Sequence, residues 1–149
     1  MDYELFGCNP WREKYDFNLN ISYGDLNFKG KYVDKKMGSY VGVGYALNDE
    51  STQKLKEMFG EIAYKKSLTD DLSMLAKGYV DQFEFDKDWE VYPEGFANVY
   101  PDGMRCNPKA KDRTTGAELQ VDYLLKDHAV TGGGVYERVS QFDVIQFWT

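Results

Sequence analysis

Apolar and polar residues alternate along most of this chain, in runs separated by turn residues. From Tyr15 to Ser22, the residues Tyr15, Phe17, Leu19 and Ile21 fall on one side and Asp16, Asn18, Asn20 and Ser22 on the other. A period of two predicts a half-buried strand. Tyr23-Gly24-Asp25 is a turn. Leu26 to Val33 predicts a second strand, with Lys29 and Lys31 opposite Phe28 and Tyr32, and with Gly30 marking a bulge or bend. Lys35 to Gly38 reads as a turn and Ser39 to Leu47 as a third strand.

Two stretches change the period. Asn48 or Asp49 can cap a helix, and Leu55, Met58, Phe59, Ile62 and Ala63 then recur at helical spacing, which predicts an amphipathic helix as far as Lys66. A second helical signal follows Thr69, with Leu72, Leu75, Ala76, Tyr79, Val80 and Phe83 on one face. Alternation returns at Phe83–Tyr92, where Phe83, Phe85, Lys87, Trp89 and Val91 oppose Glu84, Asp86, Asp88 and Glu90. Pro93-Glu94-Gly95 and Pro101-Asp102-Gly103 are turns around a short strand, Phe96 to Tyr100, and Met104 to Thr115 reads as a basic loop. Thr115 to Trp148 predicts a long antiparallel hairpin. Ala117, Leu119, Val121, Tyr123 and Leu125 form the inner face of its first strand, and Thr131-Gly132-Gly133-Gly134 closes its turn-rich tip. The expected fold is therefore mainly β with one or two helices (α+β). It is a single domain over 1–149, an OB-like antiparallel β-barrel with an amphipathic helix after the third strand.

Composition narrows the function. Hydrophobic residues make up 42% of the 149 positions and aromatics 16%, with twelve Tyr, as expected of a folded β-rich domain. The formal net charge of −7 argues against a simple duplex-DNA binder. The charge is uneven, however. Lys29, Lys31, Lys35 and Lys36 form one basic island, Arg105, Lys109, Lys111 and Arg113 form another, and the middle of the chain is acidic. No run approaches 18 apolar residues and the first residues lack the apolar core of a signal peptide, so a cytoplasmic protein that neither spans nor anchors to a membrane is expected.

Candidate chemistry is sparse. Cys8 and Cys106 are isolated and fit neither a metal spacing nor a disulfide framework, which suits two reduced thiols. His128 is the sole histidine, and its neighbour Asp127 points away from it on an extended chain, so no catalytic set is visible. Thr131 to Gly134 lacks the lysine and the helix of a phosphate loop, and Asp70-Asp71 and Asp86-Asp88 miss the calcium-loop pattern. No cofactor, metal or enzymatic activity is expected. The constellation left is aromatic and basic: Lys29, Lys31, Tyr32, Lys35, Lys36, Tyr40 and Tyr45, with Arg105, Lys109, Lys111 and Arg113. On a curled sheet these would flank a groove for single-stranded DNA, with bases stacked on the rings and phosphates met by the cations.

Two stretches carry a family resemblance. GSYVGVGYALNDESTQKLKEMFGEIAYKKSL resembles the strand, short turn and helix of the single-stranded DNA-binding proteins of tailed bacteriophages, an OB-fold group. TGAELQVDYLLKDHAVTGGGVYERVSQFDVIQF is similar to that family's closing hairpin, with Gly116, Leu119, Val121 and Tyr123 in a G-x-x-L-x-V-x-Y strand. The resemblance implies coating of single-stranded DNA without enzymatic activity, with replication or host defence proteins as further partners. Members commonly end in an acidic tail, whereas this sequence ends Phe147-Trp148-Thr149. Two other readings stay open. One is a small acidic inhibitor of a host nuclease, using the carboxylates of Phe83–Glu94 as phosphate mimics. The other is a virion structural β protein.

Overall fold

A computed structural model describes residues 11–38 and 51–148. They form one antiparallel sheet. Its strands are β1 (Arg12–Tyr23), β2 (Leu26–Gly38), β3 (Thr52–Ser67), β4 (Leu72–Tyr92), β5 (Met104–Cys106), β6 (Lys109–Leu125) and β7 (His128–Ile145). The spatial order is β1-β2-β3-β4-β6-β7, with β5 paired to the far end of β4. Each main strand lies beside the next in sequence, as in an up-and-down meander. The strands are long: β4 has 21 residues, against the five or so that are usual in globular sheets.

The two ends of the sheet differ. At one, tight turns join β1 to β2, β3 to β4 and β6 to β7. Gly24 (φ 57°) and Lys126 (φ 52°) hold the left-handed first position of the two-residue turns Gly24-Asp25 and Lys126-Asp127. Asp25 also anchors this end, with a carboxylate oxygen 2.6 Å from Lys66 Nζ. At the other end the connections are longer, and the one from Tyr92 to Met104 stacks Tyr92 against Phe96 and Tyr100 at 4.9 and 4.5 Å between ring centroids.

Several sequence expectations are corrected. No helix forms among the described residues, so the amphipathic helix to Lys66 is strand β3 and the second helical signal is strand β4. The reason is visible in the register. Leu55 and Phe59 point to one face of β3 while Met58 and Ile62 point to the other, and a strand apolar on both faces mimics helical spacing. Leu72, Ala76 and Val80 against Leu75, Tyr79 and Phe83 repeat the effect on β4. The Lys35–Gly38 turn is the end of β2, and the basic loop from Met104 is β5 and the start of β6. Gly132, Gly133 and Gly134 lie within β7, whose turn is Lys126-Asp127. No closed barrel appears: β1 and β7 are open edges of the described sheet. The strand expected over Ser39–Leu47 lies outside the described residues. The expected strands at Tyr15–Ser22, Leu26–Val33, Phe83–Tyr92 and Ala117–Leu125 are present within β1, β2, β4 and β6.

Candidate functional site

Register assigns each side chain to a face, because residues paired across an antiparallel ladder point the same way. One face of the sheet, at the tight-turn end, is apolar on all six long strands. It carries Tyr15, Phe17, Leu19, Ile21 and Tyr23 on β1, Leu26, Phe28 and Tyr32 on β2, and Met58, Ile62 and Tyr64 on β3. It continues through Met74, Ala76 and Val80 on β4, Ala117, Leu119, Val121 and Tyr123 on β6, and Val130 and Tyr136 on β7.

This face is not a core. Tyr15, Phe17, Tyr23, Phe28, Tyr32, Tyr123 and Tyr136 are each at least 40% exposed, as are Ile21, Met58, Ile62 and Leu119. Those seven rings alone expose on the order of 800 Å², whereas a soluble monomer rarely shows an apolar patch above a few hundred. At about 25 cal/mol per Å², leaving them in water forgoes on the order of 20 kcal/mol. A typical domain's whole stability is about 5–15 kcal/mol.

The band has sharp limits. Along β1 it runs from Tyr15 to Tyr23, roughly 26 Å at about 3.3 Å per residue. Tyrosines stand at the ends of its runs: Tyr23, Tyr64 and Tyr123 towards the tight turns, Tyr15 and Tyr32 towards the long connections, and Tyr136 at the far end of the shorter run on β7, in the register row of Ile21 and Phe28. On β2, β3, β4 and β6 the same face then turns charged, with Asp34, Lys56, Glu84 and Lys111 forming one row that Tyr15 completes on β1.

The reverse face behind the band is mostly polar and internally paired, with Phe59, Leu75, Val135 and Val139 among its apolar residues. Lys29 meets Glu61 at 2.9 Å, Lys31 meets Glu57 at 3.3 Å and Lys77 meets Glu118 at 2.7 Å, each across a strand boundary. Asn27 Nδ2 donates to Asn20 Oδ1 and Ser22 Oγ at 2.8 Å, and Thr131 Oγ1 donates to Asp122 at 2.7 Å. Towards the long connections this reverse face becomes the apolar one. It carries Leu55, Phe83, Phe85 and Trp89 there, and Val33, Val91 and Ala110 are buried. The two faces exchange polarity part-way along the strands.

The residues expected to bind nucleic acid fall on both faces. Lys29, Lys31 and Lys35 share the reverse face, whereas Tyr32 and Lys36 lie on the face of the apolar band. Arg113 lies on the band's face in the row of Tyr32, and Lys111 and Lys109 lie on that face beyond it, so of the first island's lysines only Lys36 shares a face with them. Most of these cations are engaged: Lys109 with Asp86 at 3.0 Å, Lys111 with Glu84 at 3.8 Å, Arg105 with Asp88 at 3.2 Å and Arg113 with Gln82 at 2.6 Å. Lys36 stands 5.1 Å from the centre of the Trp11 ring. Tyr40 and Tyr45 lie outside the described residues. The apolar band was missed because its strands were read separately; a rank of tyrosines ending alternate-residue runs was the available signal. Among the described residues no group of His, Cys, Asp or Glu could hold a metal ion, and no helix is long and apolar enough to cross a membrane. No protein-family model, curated protein or solved structure matches the chain.

Proposed function

We propose that this sheet is a section of a transmembrane β-barrel wall, with its apolar band against lipid and its paired polar face towards an aqueous interior. The observation that carries the reading is the band itself: exposed, with tyrosines at the ends of its runs, and backed by ion pairs. Barrels that cross membranes show an outward apolar belt about 25 Å tall between aromatic girdles, a polar interior, short turns at one end and longer loops at the other. A closed β wall is also one of only two structures whose backbone groups are all satisfied inside hydrocarbon. The polarity exchange favours lipid over a second sheet as the covering partner. A sheet packed face to face keeps one side apolar along its length, whereas here the change comes where a bilayer would end. Such barrels have at least eight strands, so closure of this six-strand path takes strands from beyond the described residues or from a second copy.

Single-stranded DNA binding is supported less well, because its first basic island is split between the two faces, with only Lys36 on the face of Lys109, Lys111 and Arg113, and most of the cations already have partners. The deciding experiment is refolding into phosphatidylcholine vesicles, followed by flotation and protease digestion. The expected result is β-sheet that floats with the vesicles and leaves the tight-turn halves of the strands protected. A soluble species that keeps its sheet without lipid, and that shifts an oligo-dT probe in a salt-dependent way, would overturn the wall reading in favour of DNA binding.

A further inference from the structure

We infer that the outward face, immediately beyond the apolar band at the long-connection end, holds the phosphate of a phosphorylated lipid headgroup. The inference rests on the membrane-wall reading and deepens it. Two rows of side chains cross four strands at this point: Lys36, Lys54, Asp86 and Lys109 form one, and Asp34, Lys56, Glu84 and Lys111 the next. A cleft of about 400 Å³ opens among them, reaching Asp143 and Ile145 on β7. Four lysines and three carboxylates line it.

The carboxylates are shared unevenly. Asp86 sits 3.0 Å from Lys109, Glu84 sits 3.8 Å from Lys111, and Lys111 also meets Asp143 at 3.4 Å. Lys54 and Lys56 have Asp86 and Glu84 opposite them in register, yet neither makes an ion pair among the described residues. Both are exposed and on the same face of β3, about 6.6 Å apart along the strand. Lys56 also has Asp34 opposite it on β2, again without an ion pair. Two adjacent ammonium groups that close no ion pair with the carboxylates beside them suit an oxyanion with several acceptor oxygens.

Position selects the source of that oxyanion. The next residue on this face of β3 after Lys56 is Met58, the first of the band. Acyl chains lying on Met58, Tyr32 and Ile62 would end where the lysines begin. Long basic side chains at that depth lay their stems on the apolar surface and carry the charge to the headgroups. A free phosphate would use the lysines and leave the band untouched.

The test uses the full chain in neutral maltoside micelles, with equal amounts of phosphatidic acid and phosphatidylcholine of the same acyl chains, read by native mass spectrometry. Phosphatidic acid is expected to be retained about thirtyfold over phosphatidylcholine, the scale on which two lysines act at an anionic surface. Lys54→Gln with Lys56→Gln should abolish the preference, Lys54→Arg with Lys56→Arg should keep it, and Lys65→Gln, near the tight turns, should leave it unchanged. Equal retention of both lipids by the native chain, or a preference that survives the double glutamine variant, overturns the site. So does displacement of the lipid by an equal concentration of inorganic phosphate. Entry into neutral micelles with an intact sheet but no lipid preference would sink this site alone. Failure to enter them would sink the wall reading as well.

Discussion

Tyr79 on β4 reaches over Gly116 on β6 and donates its phenolic hydrogen to the Glu137 carboxylate on β7. The three residues lie in one register row, and the absence of a side chain at the middle one leaves the path open. A Cβ at Gly116 would stand 2.3 Å from the tyrosine ring, so the ring must move if one is added. Gly116→Ala is expected to break the hydrogen bond at a cost of about 1–2 kcal/mol, and Tyr79→Phe at about the same. The double variant should cost little more than either alone, because both remove one interaction. Denaturant unfolding in micelles measures this cycle, and simple additivity would show that Gly116→Ala leaves the bond in place.

Leu119 and Gln120 are neighbours on β6 that point to opposite faces, Leu119 into the middle of the apolar band and Gln120 to the polar reverse. If the band faces hydrocarbon, Leu119→Arg should destabilise the vesicle-inserted sheet by about 2–4 kcal/mol, and Gln120→Arg should stay within about 0.5 kcal/mol. Reversible unfolding from vesicles reads both values. Equal costs at the two positions would mean that the faces do not meet different solvents.

The three consecutive glycines of β7 should respond differently to the same change. A Cβ at Gly133 would lie 2.5 Å from the carbonyl oxygen of Leu119, whereas at Gly132 and Gly134 it would meet nothing within 4 Å. The obstacle is backbone, which cannot swing aside as a side chain can. Gly133→Ala is therefore expected to cost about 1–3 kcal/mol by forcing β6 and β7 apart. Alanine at 132 or 134 should be neutral or slightly stabilising, since it restricts the unfolded chain. Thermal unfolding of the three single variants orders them.

These cases show what was legible in the sequence. Alternation at Tyr15–Ile21 and Ala117–Leu125 gave strands, and Gly24 gave a turn, because each signal is local. Leu55, Met58, Phe59 and Ile62 misled because the polarity of the sheet changes sides along β3. A strand apolar first on one face and then on the other has the spacing of a helix. The triple glycine misled for a different reason: Gly133 packs closely against the β6 backbone, which only the register reveals. The candidate site was the least legible part. An apolar face that remains exposed looks, residue by residue, like one that is buried, and only six strands side by side show that none of the described residues covers it.

Cys106 offers a test of how the two ends of the sheet divide their stability. It is buried on β5, which pairs with β4 through only three residues, Trp89, Glu90 and Tyr92, and on its other side through the single bridge from Cys106 to Trp148. β3 and β4, by contrast, are paired from Thr52↔Asp88 to Ser67↔Ser73. A strand held by so few pairs opens locally at lower free energy than the whole sheet. In a Cys8→Ser variant, a maleimide should label Cys106 at denaturant concentrations below those that unfold the sheet as seen by circular dichroism. The free energy of this opening should lie a few kcal/mol below the global value. Labelling and unfolding that coincide would instead make β5 part of the same cooperative unit as the apolar band. In that case the long-connection end could not open while the rest of the wall holds.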